Sequence, residues 1–72
     1  MRRVNKFPEV LKALLKEKNE NQIELSNELG LGYSTVRRWL HDEGTPKFYD
    51  LIALSEHFNV SIDYLVFGDK GE

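Results

Sequence analysis

Asn21 to Leu40, NQIELSNELGLGYSTVRRWL, is the stretch whose reading decides the fold. It divides into two short helical patterns broken by Gly30-Leu31-Gly32. In the second pattern Tyr33, Ser34, Arg37 and Arg38 share one face, and Val36, Trp39 and Leu40 share another. The second face has core character. The first offers two adjacent arginines beside a tyrosine, a set suited to a surface lined with hydrogen-bond acceptors and phosphates.

Working outward towards the N-terminus, Phe7, Val10, Leu11, Leu14 and Leu15 fall at spacings of three and four, the stripe of an amphipathic helix from Phe7 to Lys18. Asn5 is read as its N-cap, Pro8 suits the first turn, and Asn19 supplies a left-handed stop. Asn21 and Glu24 have the spacing of a capping box for the next helix, with Ile23, Leu25 and Leu29 expected on its buried side. Gly30 ends that helix, and Gly32 opens the next, predicted to run from Tyr33 to His41.

Towards the C-terminus, Asp42-Glu43-Gly44-Thr45-Pro46 is five residues of turn chemistry. A fourth helix is predicted over Phe48 to Phe58, with Phe48, Leu51, Ile52, Leu54, Ser55 and Phe58 as its stripe. Asn59 is a further left-handed stop, and Ser61 caps a last short helix bearing Ile62, Leu65 and Val66. No stretch alternates over strand length, so the expected class is all-α, a compact bundle of five short helices. The expected organisation is a flexible arm at 1–6, one domain at 7–67, and a polar tail or the start of a linker at 68–72.

A chain of 72 residues commits nearly all its large apolar side chains to one core, leaving little room for a cofactor cavity. Cysteine is absent, which removes disulfides and thiolate metal sites. His41 and His57 have no second ligand at metal spacing, and neither a glycine-rich phosphate loop nor a nucleophile with its base is legible. The reading is therefore no enzyme, no metal, no cofactor and no small-molecule ligand. No apolar run approaches the roughly 18 residues of a membrane span, and the charged start lacks the apolar stretch of a secretory signal. The expected compartment is the cytoplasm.

The net charge is −2, yet it is unevenly spread. Residues 1–18 carry six bases against two acids, and 31–41 carry Arg37 and Arg38 with no acid. Residues 19–30 hold three acids and no base, and 42–72 hold seven acids against Lys47 and Lys70. The arginine-bearing helix thus lies in a basic block of an acidic chain, where distribution outweighs the total.

From Phe7 to about Val66 the chain resembles the Cro and phage-repressor type of helix-turn-helix domain, the XRE family. The likeness rests on Phe7, Leu11 and Leu14, on Asn21-Gln22 with Glu24-Leu25, and on Leu29-Gly30-Leu31. It extends through Ser34-Thr35-Val36, Trp39, Pro46 and Val60-Ser61-Ile62-Asp63-Tyr64-Leu65. The resemblance implies a lambda-repressor-like fold and a sequence-specific, double-stranded DNA-binding transcriptional regulator, a repressor of phage or mobile-element type that occupies a palindromic operator as a homodimer. Tyr33, Ser34, Arg37 and Arg38 would read bases in the major groove, with Arg38 first. Asn21, Gln22, His41 and Lys47 would contact phosphates. Tyr64, Val66 and Phe67 could either complete the core or leave an apolar edge for a second protomer, and the resemblance favours the edge. The chain departs from the family pattern at Gly32 (commonly Ser or Thr), Asp42 (commonly Gly) and Glu20 (commonly apolar). Leu15 and Leu40 replace a common Arg and Glu pair, an exchange that keeps the packing logic. The alternative reading is a protein-binding module of the same fold, an antitoxin or anti-repressor using an acidic face.

Overall fold

The computed structural model describes residues 5–68, in which each predicted helix forms: α1 Phe7–Lys18, α2 Gln22–Leu29, α3 Tyr33–Leu40, α4 Phe48–Phe58 and α5 Ile62–Phe67. No strand occurs among the described residues. The arm residues 1–4 and the tail residues 69–72 lie outside them.

Local chemistry sets the boundaries. Asn21 Oδ1 accepts from the Glu24 N–H at 2.8 Å while Glu24 Oε1 accepts from the Asn21 N–H at 2.9 Å, a reciprocal capping box. Ser61 Oγ accepts from the Tyr64 N–H at 3.0 Å and caps α5. Asn19, Gly30 and Asn59 close α1, α2 and α4 in the left-handed region, at φ 56°, 69° and 56°. Two boundaries move by one residue from the sequence reading. Lys6 occupies the N-cap of α1, although Asn5 Oδ1 still accepts from the Phe7 N–H at 2.9 Å. His41 is the C-cap of α3 rather than its last turn.

The core joins Phe7, Val10, Leu11, Leu14 and Leu15 of α1 to Leu25, to Val36, Trp39 and Leu40 of α3, and to Leu54 and Leu65. Phe7 and Trp39 meet edge to face, with centroids 5.9 Å apart and planes at 72°. Leu15 and Leu40 are both buried in this cluster. The Lys6 N–H donates to the Val66 carbonyl at 2.6 Å, tying the start of α1 to α5. A polar tie joins the α1–α2 turn to α4: His57 Nε2 lies 2.9 and 3.0 Å from the two Glu20 carboxylate oxygens, and Lys18 Nζ donates to the His57 carbonyl at 3.2 Å. Glu20, acidic where the family pattern is apolar, thus has its partner on a distant helix.

Two expected core residues are exposed instead. Ile23 is 58% exposed, and Ser26, only 3% exposed, takes the buried position, with its Oγ donating to the Ile23 carbonyl. At about 100° per residue, Ile23 stands roughly 200° round the helix from Leu25 and so faces outward. Phe48 is 67% exposed because it begins α4 on the flank of the Leu51, Leu54 and Phe58 stripe; it packs edge to face on Tyr49 instead. Tyr64, Val66 and Phe67 are half-buried rather than exposed. Among the described residues no helix is long and apolar enough to cross a membrane.

The glycines flanking the turn differ in what they need. Gly30 requires its positive φ, whereas Gly32 has an extended N-cap backbone (φ −72°, ψ 147°) and an added Cβ there meets nothing nearer than 4.0 Å. Gly30→Ser should therefore lower unfolding free energy by about 1–2 kcal/mol, the cost of an L residue in the left-handed region. Gly32→Ser should raise it by about 1 kcal/mol through a new cap and a less flexible unfolded chain. Thermal melts of both variants check the opposite signs. In the same assay Leu54→Ala, at a fully buried site, should cost about 2–5 kcal/mol.

Candidate nucleic-acid interface

Helix α3 is built with two opposed faces. At about 100° per residue, Val36, Trp39 and Leu40 fall within a sector of roughly 100°, and Tyr33, Ser34, Arg37, Arg38 and the capping His41 within roughly 140° on the other side. The inner residues are 0–5% exposed, while Tyr33 is 49% exposed and Ser34, Arg37, Arg38 and His41 are all exposed. The sequence-predicted reading residues therefore converge on one accessible strip. Neither arginine has an ion-pair or hydrogen-bond partner among the described side chains, so both guanidinium forks keep their full donor capacity. Their place in the last turn of α3 is favoured by the helix dipole.

The expected phosphate contacts are placed at element ends. Gln22 opens α2 half-buried; its Oε1 is buried without a hydrogen-bond partner, which leaves the amide nitrogen as the end able to face outward. Asn21 is exposed, but its Oδ1 is already committed to the capping box, so only its amide N–H groups remain to donate. Lys47 is exposed at the N-cap of α4, its backbone N–H bonded to Asp50 Oδ2 at 3.1 Å.

Two neighbours of the strip escaped the sequence reading. Lys12, noted there only as part of the basic block, shares a shallow hollow of about 340 Å³ with Pro8, Glu9, Leu40, His41 and Asp42, because α1 packs along α3. It adds a cation beside the end of α3. Thr45, read only as turn chemistry, lines a smaller hollow of about 240 Å³ with Thr35, Arg38 and Trp39. The loop after α3 thus folds back beside Arg38, and the Glu43 N–H donates to the Arg38 carbonyl at 2.8 Å.

Asp42 adopts φ 57°, the conformation that favours glycine, which gives the physical reason for the glycine common at that position in the family pattern. Its carboxylate and that of Glu43 are exposed next to the arginine strip, and neither pairs with it. The strip can accordingly offer fork-shaped donors to an acceptor-lined groove, with a local negative charge opposing any phosphate that comes near the loop.

Comparison with known proteins agrees with this geometry. A family profile described as helix-turn-helix matches residues 11–65. An HTH-type transcriptional activator of Enterococcus faecalis, BcrR, is 31% identical over 64 residues, covering 89% of this chain and 31% of that protein. A transcriptional regulator from Listeria innocua, solved by crystallography, superposes with a TM-score of 0.85 at 32% identity, covering 96% of this chain and 64% of that one. The chain thus spans about a third of the length of the activator and under two thirds of that of the regulator. With the two-faced α3 at the centre of the matched region, the chain belongs to the Cro/C1-type helix-turn-helix family.

Proposed function

We propose that the chain is a sequence-specific, double-stranded DNA-binding transcriptional regulator that lays α3 in the major groove. The observation that carries this reading is the pair of arginines, Arg37 and Arg38, without partners among the described residues and held on the exposed face of a helix whose other face is locked in the core. Arg38 is the principal base reader: its fork matches the O6 and N7 acceptors of guanine, a pairing worth roughly 1–3 kcal/mol of discrimination. Arg37 and Ser34 read or support neighbouring positions, and Tyr33 packs on a thymine methyl or donates to a phosphate. Asn21, Gln22, His41 and Lys47 fix the register through the backbone, which carries no sequence information itself. Lys12 joins them.

The protein acts as a homodimer on a palindromic operator, because two-fold symmetry presents two reading helices to half-sites about 34 Å apart. Its effect is repression by occupancy, in the manner of phage and mobile-element repressors. BcrR is by name an activator; a reporter with the operator placed over or upstream of the promoter separates the two outcomes.

Substitution of the arginines tests the reading. On a duplex recovered by selection, Arg38→Ala should cost roughly 10–100-fold in affinity and relax preference at one base position. Arg37→Ala should weaken binding and, if it faces a phosphate, lower the salt slope by about 1. Unchanged affinity in the double variant contradicts the proposal.

The loop acids give an independent check. Asp42→Gly removes a negative charge beside the strip and relaxes a left-handed aspartate, at the expense of a more flexible unfolded chain. Stability should stay within about 0.5 kcal/mol. Affinity for duplex should rise several-fold at low salt, and the gain should vanish at about 1 M salt, where the Debye length is about 3 Å.

A further inference from the structure

The family resemblance puts an apolar residue where this chain has Glu20, and the fold gives that acid a partner. Its backbone N–H donates to the Leu15 carbonyl of α1 at 2.9 Å, while its two carboxylate oxygens lie 2.9 and 3.0 Å from His57 Nε2 near the end of α4. A carboxylate only accepts, so the imidazole Nε2–H is the donor. The Glu20 and His57 side chains are 8% and 13% exposed, which strengthens the contact by shielding it from water. Lys18 closes the group from the other side: its Nζ donates to the His57 carbonyl at 3.2 Å and stands 5.9 Å from the centroid of the Phe58 ring. That carbonyl lies in the last turn of α4, where the helix itself supplies no donor.

Resting on the DNA-binding reading, we infer that this clasp positions the start of α2 on the duplex, with Glu20 and His57 as positioning residues for the phosphate contact of Gln22. α2 packs mainly on α3, and α4 mainly on α5. The clasp crosses between these pairs at the residue that precedes the Asn21 cap. Glu20 is thus held to α1 by its backbone and to α4 by its side chain, and it delivers the chain directly into the Asn21–Glu24 box. Gln22 follows two residues later. Its Oε1 is buried without a hydrogen-bond partner, so the backbone that carries it sets its aim. A contact that depends on placement is lost by a small displacement, since an N–H···O bond of about 2.9 Å lengthened by about 1 Å is no longer one. Base reading stands apart from the clasp, because the core fixes α3 through Val36, Trp39 and Leu40.

Placement and stability separate in one set of variants. Glu20→Ala alone leaves the His57 N–H buried and unpaired, whereas Glu20→Ala with His57→Ala removes both partners and should melt near the natural chain. The double variant should nevertheless bind a selected duplex roughly 3–10-fold more weakly, the worth of about one hydrogen bond, with preference at the Arg38 position unchanged. In a Gln22→Ala background the same pair of changes should cost nothing further, because nothing is left to position. A scan of neutral methylphosphonates along the duplex should show one position per half-site that weakens the natural chain and leaves the double variant unaffected. Glu20→Gln, whose amide oxygen still accepts from Nε2–H, should restore natural affinity. Without DNA, amide exchange at Glu24 and Leu25 should quicken about tenfold in the double variant relative to Trp39. Affinity that simply follows melting temperature across the set, a loss that persists in full beside Gln22→Ala, or unchanged exchange in α2 overturns the inference and leaves the proposal for Arg37 and Arg38 standing. Failure of the DNA reading shows differently: the natural chain then selects no duplex at all, and both fall.

Discussion

The packing of Trp39 against Phe7 is the contact on which the arrangement depends. Trp39 is 2% exposed and its ring lies edge to face with Phe7, so α3 is fixed in rotation as well as in position against α1. A helix free to roll by one residue, about 100°, would carry its arginines away from any common surface. Val36 and Leu40 hold the same face down on either side of the tryptophan, at 0% and 5% exposure. What the core rejects is therefore what the surface offers: the side chains of Tyr33, Ser34, Arg37 and Arg38 project outward because three apolar neighbours cannot. In a chain this short the same residues serve stability and presentation together, since few large apolar side chains are left over.

Most of this architecture is legible in the sequence because it is written in local chemistry. The Asn21–Glu24 box, the left-handed Asn19, Gly30 and Asn59, and the Ser61 cap each act within a few residues, so spacing alone reveals them. The two-faced character of α3 is legible for the same reason. The misplacements have physical causes. Ile23 is apolar but lies two positions from Leu25, on the wrong side of the helix; Phe48 has stripe spacing but begins its helix at the edge of the core. Of the contacts between distant segments, the resemblance gives Leu15 with Leu40, which share the core, and the residue pattern gives none of the others. Glu20 and His57 are separated by 37 residues, and Lys12 comes beside His41 only because α1 crosses α3. Helical period says which face is buried and nothing about which other element covers it.

The acidic total and the basic strip are compatible once the charges are placed in space. Among the described residues the two arginines are unpaired although Asp42 and Glu43 follow within a few residues, Asp42 in the left-handed region and the loop beyond it beside Arg38. On the proposed reading, fork-shaped donors thus remain available for bases while nearby carboxylates would weaken indiscriminate attraction to phosphate. Such a balance lowers sequence-independent affinity more than affinity for a matched site, and the ratio of the two matters for a regulator that must find one site among many.

Whether the outer face of α3 reads DNA sequence, as proposed, is decided by parallel selection of duplexes from a random pool with the natural chain and with Arg38→Ala. The natural chain should enrich a palindrome with half-sites about one helical turn apart. The variant should keep that spacing while losing preference at one position in each half-site. Enrichment of no motif, or of the same motif at undiminished preference by both proteins, would contradict the proposal.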